Sequence, residues 1–296
     1  MRVTVVGGTG FIGRRLVERL VGRGVSVRIV SRHAEDDGGP APRIERIVGS
    51  IEDPSTLERA VDGAAAVVNL VGTTAAKSER QFYSLHRDIP GRLAEAARLA
   101  GVRRLVHVSA MGIGLDAPSL ADRSKAAGEN TVRAAFPDSN FVRPALVYGP
   151  GDHFFTRFAR LVRSAPAIPL IGGGRTRFQP MHVEDVAEAM ARMLEEPGTV
   201  GRVFELGGSE IFSFRELIER LCRAVGRRPW LASIPFPLAE AAAFATQWLP
   251  QAPLTVDQVR LLKTDKVIRD PQRAPAALGV RPRPLESFLS GLGKEK

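Results

Sequence analysis

The 296-residue chain predicts a doubly wound α/β fold, a parallel sheet with helices on both faces, followed by a smaller, mostly helical part. Three observations carry this. A β-branched run, Arg2-Val3-Thr4-Val5-Val6, ends in three closely spaced glycines, Gly7, Gly10 and Gly13, and an amphipathic stretch from Phe11 to Val21 begins at once. Apolar, strand-like runs then alternate with helical patterns as far as residue 150. After Asp152 the alternation loosens, and turns rich in proline and glycine separate short helices. The expected division is a first domain over residues 1–150 and a second over 151–296, with segments such as 180–206 packing back on the first.

The opening run reads as strand, tight turn, helix. Such a turn aims backbone N–H groups at a pyrophosphate, at the positive end of a helix. Gly7 takes a φ that a residue with a Cβ resists, Gly10 lets phosphates approach the backbone, and Gly13 lets helix and strand lie close. Thr9, Phe11 and Ile12 complete the turn. A dinucleotide-binding Rossmann domain follows, with the ligand beyond the carboxyl ends of the strands.

Val25 to Val30 is the second strand, ending in Ser31-Arg32-His33. An acidic residue near this point serves the ribose hydroxyls of NAD, whereas an arginine suits a 2′-phosphate, so Ser31 and Arg32 favour NADP(H), with NAD(H) the alternative. Residues 34–43 form a loop. Ile44 to Val48 is a third strand, followed by Ser50 and Ile51 and then by Asp53-Pro54, an N-cap and first helical residue. Ala64 to Leu70 is a strand buried on both faces, and the small residues after Asn69 (Leu70, Val71, Gly72) leave room for a cofactor ribose. A helix spans Gln81 to Leu99, kinked at Pro90-Gly91. Arg103 to Ser109 is the fifth strand, with His107 read as a core histidine. Further on, Phe154 to Val162 is helical, Pro166, Pro169 and Gly172-Gly173-Gly174 mark a loop, and Glu184 to Leu194 is a helix returning to the first domain. Val203 to Leu206 is a strand, and Ser213 with Glu216 forms a capping box. The apolar stretch Leu231 to Leu249 is interrupted by Pro235, Pro237, Glu240 and Gln247, too often to span a bilayer. It reads as a turn and then an apolar-faced helix, packed in a core or against a partner.

The single cysteine, Cys222, excludes an internal disulfide framework and a cysteine-based zinc site. No metal site is expected. The net charge of +10 is mostly arginine, spread along the chain in pairs such as Arg14-Arg15 and Arg103-Arg104. It is compatible with an acidic protein partner or an anionic membrane surface, but no nucleic-acid motif accompanies it. No signal peptide is visible, so the expected location is cytoplasmic, with a peripheral place at the inner face of a membrane as the alternative.

These features resemble the short-chain dehydrogenase/reductase superfamily in its extended or atypical form. Val108-Ser109-Ala110 resembles its strand ending in the catalytic serine, and Ser124-Lys125-Ala126-Ala127-Gly128-Glu129 its helix with the catalytic lysine. Val142 to Asp152, including Pro144, resembles the strand and loop beside the nicotinamide. A narrower likeness, in Gly151 to Phe158, Thr176 to Pro180 and Pro253 to Leu262, is to the family of the NADPH-binding accessory subunit of respiratory complex I and its bacterial relatives. That resemblance implies tight nucleotide binding, weak or absent turnover and a respiratory-chain partner.

One departure matters most. The superfamily's reductases carry a tyrosine four residues before the lysine, on the same helix face. Here that position is Ala121, and the two tyrosines, Tyr83 and Tyr148, lie elsewhere. Ser109 and Lys125 remain as catalytic candidates without the usual proton relay. Two readings follow: a nucleotide-binding module with weak or no turnover, or an active NADP-dependent oxidoreductase or nucleotide-sugar epimerase/dehydratase-like enzyme. The second would bind a small-molecule substrate and take its proton from water, Asp116, Asp122 or His153.

Overall fold

A computed structural model describes residues 1–32, 42–76, 78–248 and 254–292. His33, most of the loop expected over 34–43, and Pro253 lie outside the described residues. The glycine-flanked start folds as predicted: β1 (Arg2–Val6) runs into α1 (Phe11–Gly22). Then come β2 (Ser26–Ser31), β3 (Ile44–Val48), α2 (Pro54–Val61) and β4 (Ala66–Asn69). Asp53 caps α2 through its carboxylate, as its place before Pro54 implies.

The helix expected over 81–99 is three pieces: α3 (Glu79–Tyr83), a π-turn (Ser84–Asp88) and α4 (Ile89–Leu99). The irregularity therefore falls one turn before Pro90, at the residues whose carbonyls proline leaves without a donor. After β5 (Arg104–Val108) comes α5 (Leu120–Ala135), then β6 (Asn140–Pro144) and the short β7 (Val147–Tyr148).

Beyond α6 (Phe154–Ser164), the stretch predicted as a loop at 166–174 is instead β8 (Ala167–Ile171) and a glycine turn. Pro169 is tolerated because, among the described residues, β8 pairs with one neighbour, leaving an edge where no N–H is required. That neighbour is β13 (Trp230–Ile234), parallel to it and in register Trp230 to Ala167. The turn expected at 231–235 is therefore strand, with Pro235 just past its end. Between them lie β9 (Arg177–Phe178), β10 (Met181–His182), α7 (Val183–Glu195), β11 (Val203–Leu206), β12 (Phe212–Ser213) and α8 (Phe214–Val225). The capping box of Ser213 and Glu216 is formed at α8. Three helices close the chain: α9 (Phe236–Thr246), α10 (Val256–Leu261) and α11 (Leu285–Leu292). α9 buries only Ala239 and Ala243, leaving Leu238 and Phe244 largely exposed.

The main sheet has seven parallel strands in the order β11-β6-β5-β4-β1-β2-β3. The chain steps outward in opposite directions from β1, so the switch point lies between β1 and β4. One face of the sheet is covered by α1 and α7, whose Leu16, Leu20, Val186 and Met190 share a core with Val3, Val5 and Val68. The other face packs against α2, α4 and α5 through Leu57, Leu93, Ala97 and Val132. A separate aromatic cluster, with Tyr148, Phe155, Phe178 and Phe214, holds α6, α8 and α11 together. Among the described residues no helix is long and apolar enough to cross a membrane.

Candidate functional site

Parallel strands put the residues that follow them at one edge of the sheet. Gly7 follows β1, Arg32 follows β2, Leu70 to Gly72 follow β4 and Ser109 follows β5. These strands are neighbours in the sheet, so these groups lie along one edge of it.

At the turn, Gly7 has φ +83° and packs against Leu70, whose Cβ would lie 3.3 Å from a Cβ at Gly7. A Cβ on Gly13 would lie 2.2 Å from the Gly7 carbonyl oxygen, so only glycine lets α1 start this close to β1. Gly10 is the N-cap and has no side chain to cap the first-turn N–H groups of Phe11, Ile12 and Gly13. Thr9 is held by its carbonyl oxygen, which accepts from Arg14 Nε at 2.7 Å. Arg14, read in the sequence only as one of many scattered arginines, thus folds back beside the turn. Ser31 is partly buried at the end of β2, and Arg32 is exposed beside it. Ser50 is exposed, and its Oγ accepts the Glu52 N–H at 3.2 Å; Ile51 is half-buried.

The deeper end is built on α5. Ser109 is buried, its N–H donating to the Val142 carbonyl, and its Oγ has no partner among the described residues. Pro144, also buried, accepts the Met111 N–H through its carbonyl, which fixes the loop after Ser109. Lys125 makes no hydrogen bond or ion pair among the described residues, and burial, opposed by Asp122 and reinforced by Lys266, pushes its ammonium down to about 8. An unpartnered buried hydroxyl, an unpaired lysine, an uncapped helix start and a glycine cradle fit a dinucleotide that is not part of this structure.

Two histidines brace this end. His86, unmarked in the sequence reading, has Nδ1 2.8 Å from Ser124 Oγ and accepts the Thr73 N–H on Nε2 at 3.0 Å. It joins α5 to the loop after β4. Burial, and then the nearby Lys125, push it down to about 3, so it is neutral, which its acceptor role requires. His107 behaves as the predicted core histidine: Nδ1 accepts from Asn69 Nδ2 at 3.0 Å, and burial pushes it down to about 4. Asn69 Oδ1 in turn accepts the Val71 N–H.

Ala121 is buried. The Tyr148 hydroxyl donates to the Arg283 carbonyl in the aromatic cluster, and Tyr83 stacks under Arg87. Instead, the α10 segment arrives. Asp257 accepts the Leu120 and Ala121 N–H groups at 2.5 and 3.1 Å, clamping the start of α5. Asp122 is not a free acid: its buried carboxylate binds Lys266 Nζ at 2.8 Å. Asp116 and His153 are exposed on loops. Lys266 is the residue that sequence reasoning missed, and no local signal marks it, because its partner is 144 positions away. Two broad surface hollows, between β3 and α2 and beside α4, lie away from this edge and are lined by charged side chains.

Residues 3–207 match the NAD dependent epimerase/dehydratase family. The chain belongs to that family. Its similarity to solved members is structural: it superposes on the Streptomyces venezuelae dTDP-glucose 4,6-dehydratase with NAD bound at a TM-score of 0.76, with 21% identity over 99% of this chain and 96% of that one. Sequence relatives are closer. The Arabidopsis thaliana mitochondrial NADH dehydrogenase [ubiquinone] 1 alpha subcomplex subunit 9 is 32% identical across 90% of this chain and 71% of its own length. The Mus musculus protein of that name is 30% identical across 96% and 77%. A ceramide reductase from Caulobacter vibrioides is 32% identical across 94% and 88%.

Proposed function

We propose that this epimerase/dehydratase-family chain is an NADP(H)-binding module with weak or no turnover that works against a partner. The observation that carries it is Ala121, buried where the relay tyrosine stands in reductases, while Ser109, Lys125 and the glycine turn remain. Loss of a positioned general acid costs roughly 10²–10⁴ in rate. A bound nicotinamide supplies or accepts hydride; the chain's own part is to hold it. The first turn of α1 meets the pyrophosphate, Lys125 the nicotinamide ribose, and Arg32 a 2′-phosphate. The respiratory-chain relatives support a protein partner, and the +10 charge suits an acidic one or an anionic membrane surface. Melting the purified protein with NADPH and NADH tests this reading: NADPH raises the melting temperature more, and Arg32→Ala removes the difference. No shift with either nucleotide would end the proposal.

A second reading, a working reductase or epimerase with a substitute donor, is favoured by the ceramide reductase relative. Steady NADPH oxidation by the unmodified chain, abolished by Lys125→Met, would establish it. A gain of activity on Ala121→Tyr alone would favour the module with a decayed site.

A further inference from the structure

At the deep end of the site Lys125 has no ion-pair partner among the described residues. Lys125 and Lys266 bring two ammonium groups, and Asp122 Oδ2 binds Lys266 at 2.8 Å. Of the acids around it, Glu129 is held twice by Arg143 at 2.9 and 2.7 Å and Asp265 pairs with Arg177, while Asp257 gives its carboxylate to the N–H groups at the start of α5. His86 and His107 are neutral and add nothing.

Lys266 is positioned rather than trailing. Its N–H donates to the Arg177 carbonyl and its carbonyl accepts the Gln179 N–H, which threads residue 266 onto β9. Its Nζ lies 3.2 Å from where a Cβ at Gly112 would stand, over the loop three residues past Ser109, whose buried hydroxyl has no partner among the described residues. Gly112 has φ +75°, and a Cβ there would also stand 2.9 Å from the Asp265 carbonyl oxygen, so the loop is shaped to admit this segment. An ammonium bound by one carboxylate oxygen keeps further N–H groups to donate.

We propose that Lys266, held by Asp122 over the loop that follows Ser109, forms with Lys125 a subsite for the anionic oxygen of a second small molecule, a carboxylate or enolate, bound next to the nucleotide. A phenol at this place would offer one neutral donor. A fixed ammonium selects charge instead. The proposal rests on the crevice being the ligand site of the proposed function, but its test does not depend on nucleotide.

Benzoate and benzamide have one shape and differ in charge. Titrated calorimetrically into the full chain, with and without saturating NADP⁺, benzoate should bind roughly tenfold or more tightly, the worth of one charged hydrogen bond. Lys266→Gln should erase that preference and Lys266→Arg should keep most of it. Because Lys266→Gln leaves Asp122 unpaired and could unfold the chain, the unmodified protein carries a second measurement. Acetylation of Lys266, followed by peptide mass spectrometry, should be slowed by benzoate and not by benzamide. Equal binding of the two probes, a preference that survives in folded Lys266→Gln, or equal protection of Lys266 would each overturn the subsite. Failure of NADP⁺ to bind, with the benzoate preference intact, would instead count against the nucleotide reading alone.

Discussion

Glycines at one turn have separate reasons to be glycine, and the geometry tells them apart. At Gly13 the neighbour is backbone, the Gly7 oxygen at 2.2 Å and the Gly8 Cα at 2.7 Å from an added Cβ. Gly13→Ala should therefore cost roughly 1–3 kcal/mol of stability whether or not nucleotide is present. Gly10 has an ordinary φ of −74° and only the Gly7 oxygen nearby, at 3.3 Å. Gly10→Ala should cost under about 1 kcal/mol and yet lose the melting shift given by NADP⁺, since its bareness serves a ligand and not the fold. Melts of both variants with and without NADP⁺ distinguish the two; equal behaviour would contradict the assignment. The buried histidines give a pH signature. His86 and His107 sit near 3 and 4 in the folded chain against 6.5 when unfolded. Between those values the unfolded chain binds more protons, so stability is complete above about 6.5 and declines as pH falls toward 4 and then 3. His86→Gln can replace both hydrogen bonds without titrating, so its urea midpoint should fall less than that of the parent between neutral and mildly acid pH.

At the scale of elements, α5 gathers most of the site, and what the sequence shows of it is uneven. Lys125, the missing phenol at Ala121 and the strand ending at Ser109 are legible because they are local patterns. Lys266 and Asp257 are not, because they reach α5 from a segment more than a hundred residues on and make sense only once β9 has placed them. The proline-marked loop at 166–174 failed for a related reason: proline argues against strand only where both edges are paired, and among the described residues β8 pairs with one neighbour. Gly128 shows how tightly α5 is fitted. A Cβ there would stand 1.8 Å from the His86 carbonyl oxygen, in the π-turn that precedes Pro90. Gly128→Ala should lower stability by roughly 1–3 kcal/mol in denaturant melts. The displaced π-turn would take the His86 ring from Ser124 and Thr73, so nucleotide binding should weaken as well. A variant as stable as the parent would mean that the two helices are not this close.

Across the whole molecule, the chain leaves the nucleotide-binding half and then returns to complete it. β11 is the seventh strand of the main sheet, paired with β6, although it begins at Val203. α7 lies along α1, where Arg19 and Arg23 face Glu184 and Glu188 at 2.7–3.4 Å. Those pairs are partly exposed and contribute little individually. The larger contribution is apolar: Val186, Met190, Met193, Phe204, Leu206, Leu278 and Val280 share one core with Val3, Val5, Leu16 and Leu20. Past the break in the motif pattern near residue 150, these returning residues therefore join the core of the first half, while Tyr148, Phe155 and Phe214 build a cluster of their own. Residues 1–150 expressed alone would keep the glycine turn and Lys125 but would leave the face that α7 shares with α1 only partly covered. They should show far-UV helix and strand signal, bind a hydrophobic dye, and melt without a cooperative transition, while the complete chain melts in one step. A sharp melt of that fragment, raised further by NADP⁺, would show that the returning segment is dispensable and that the nucleotide site stands without it.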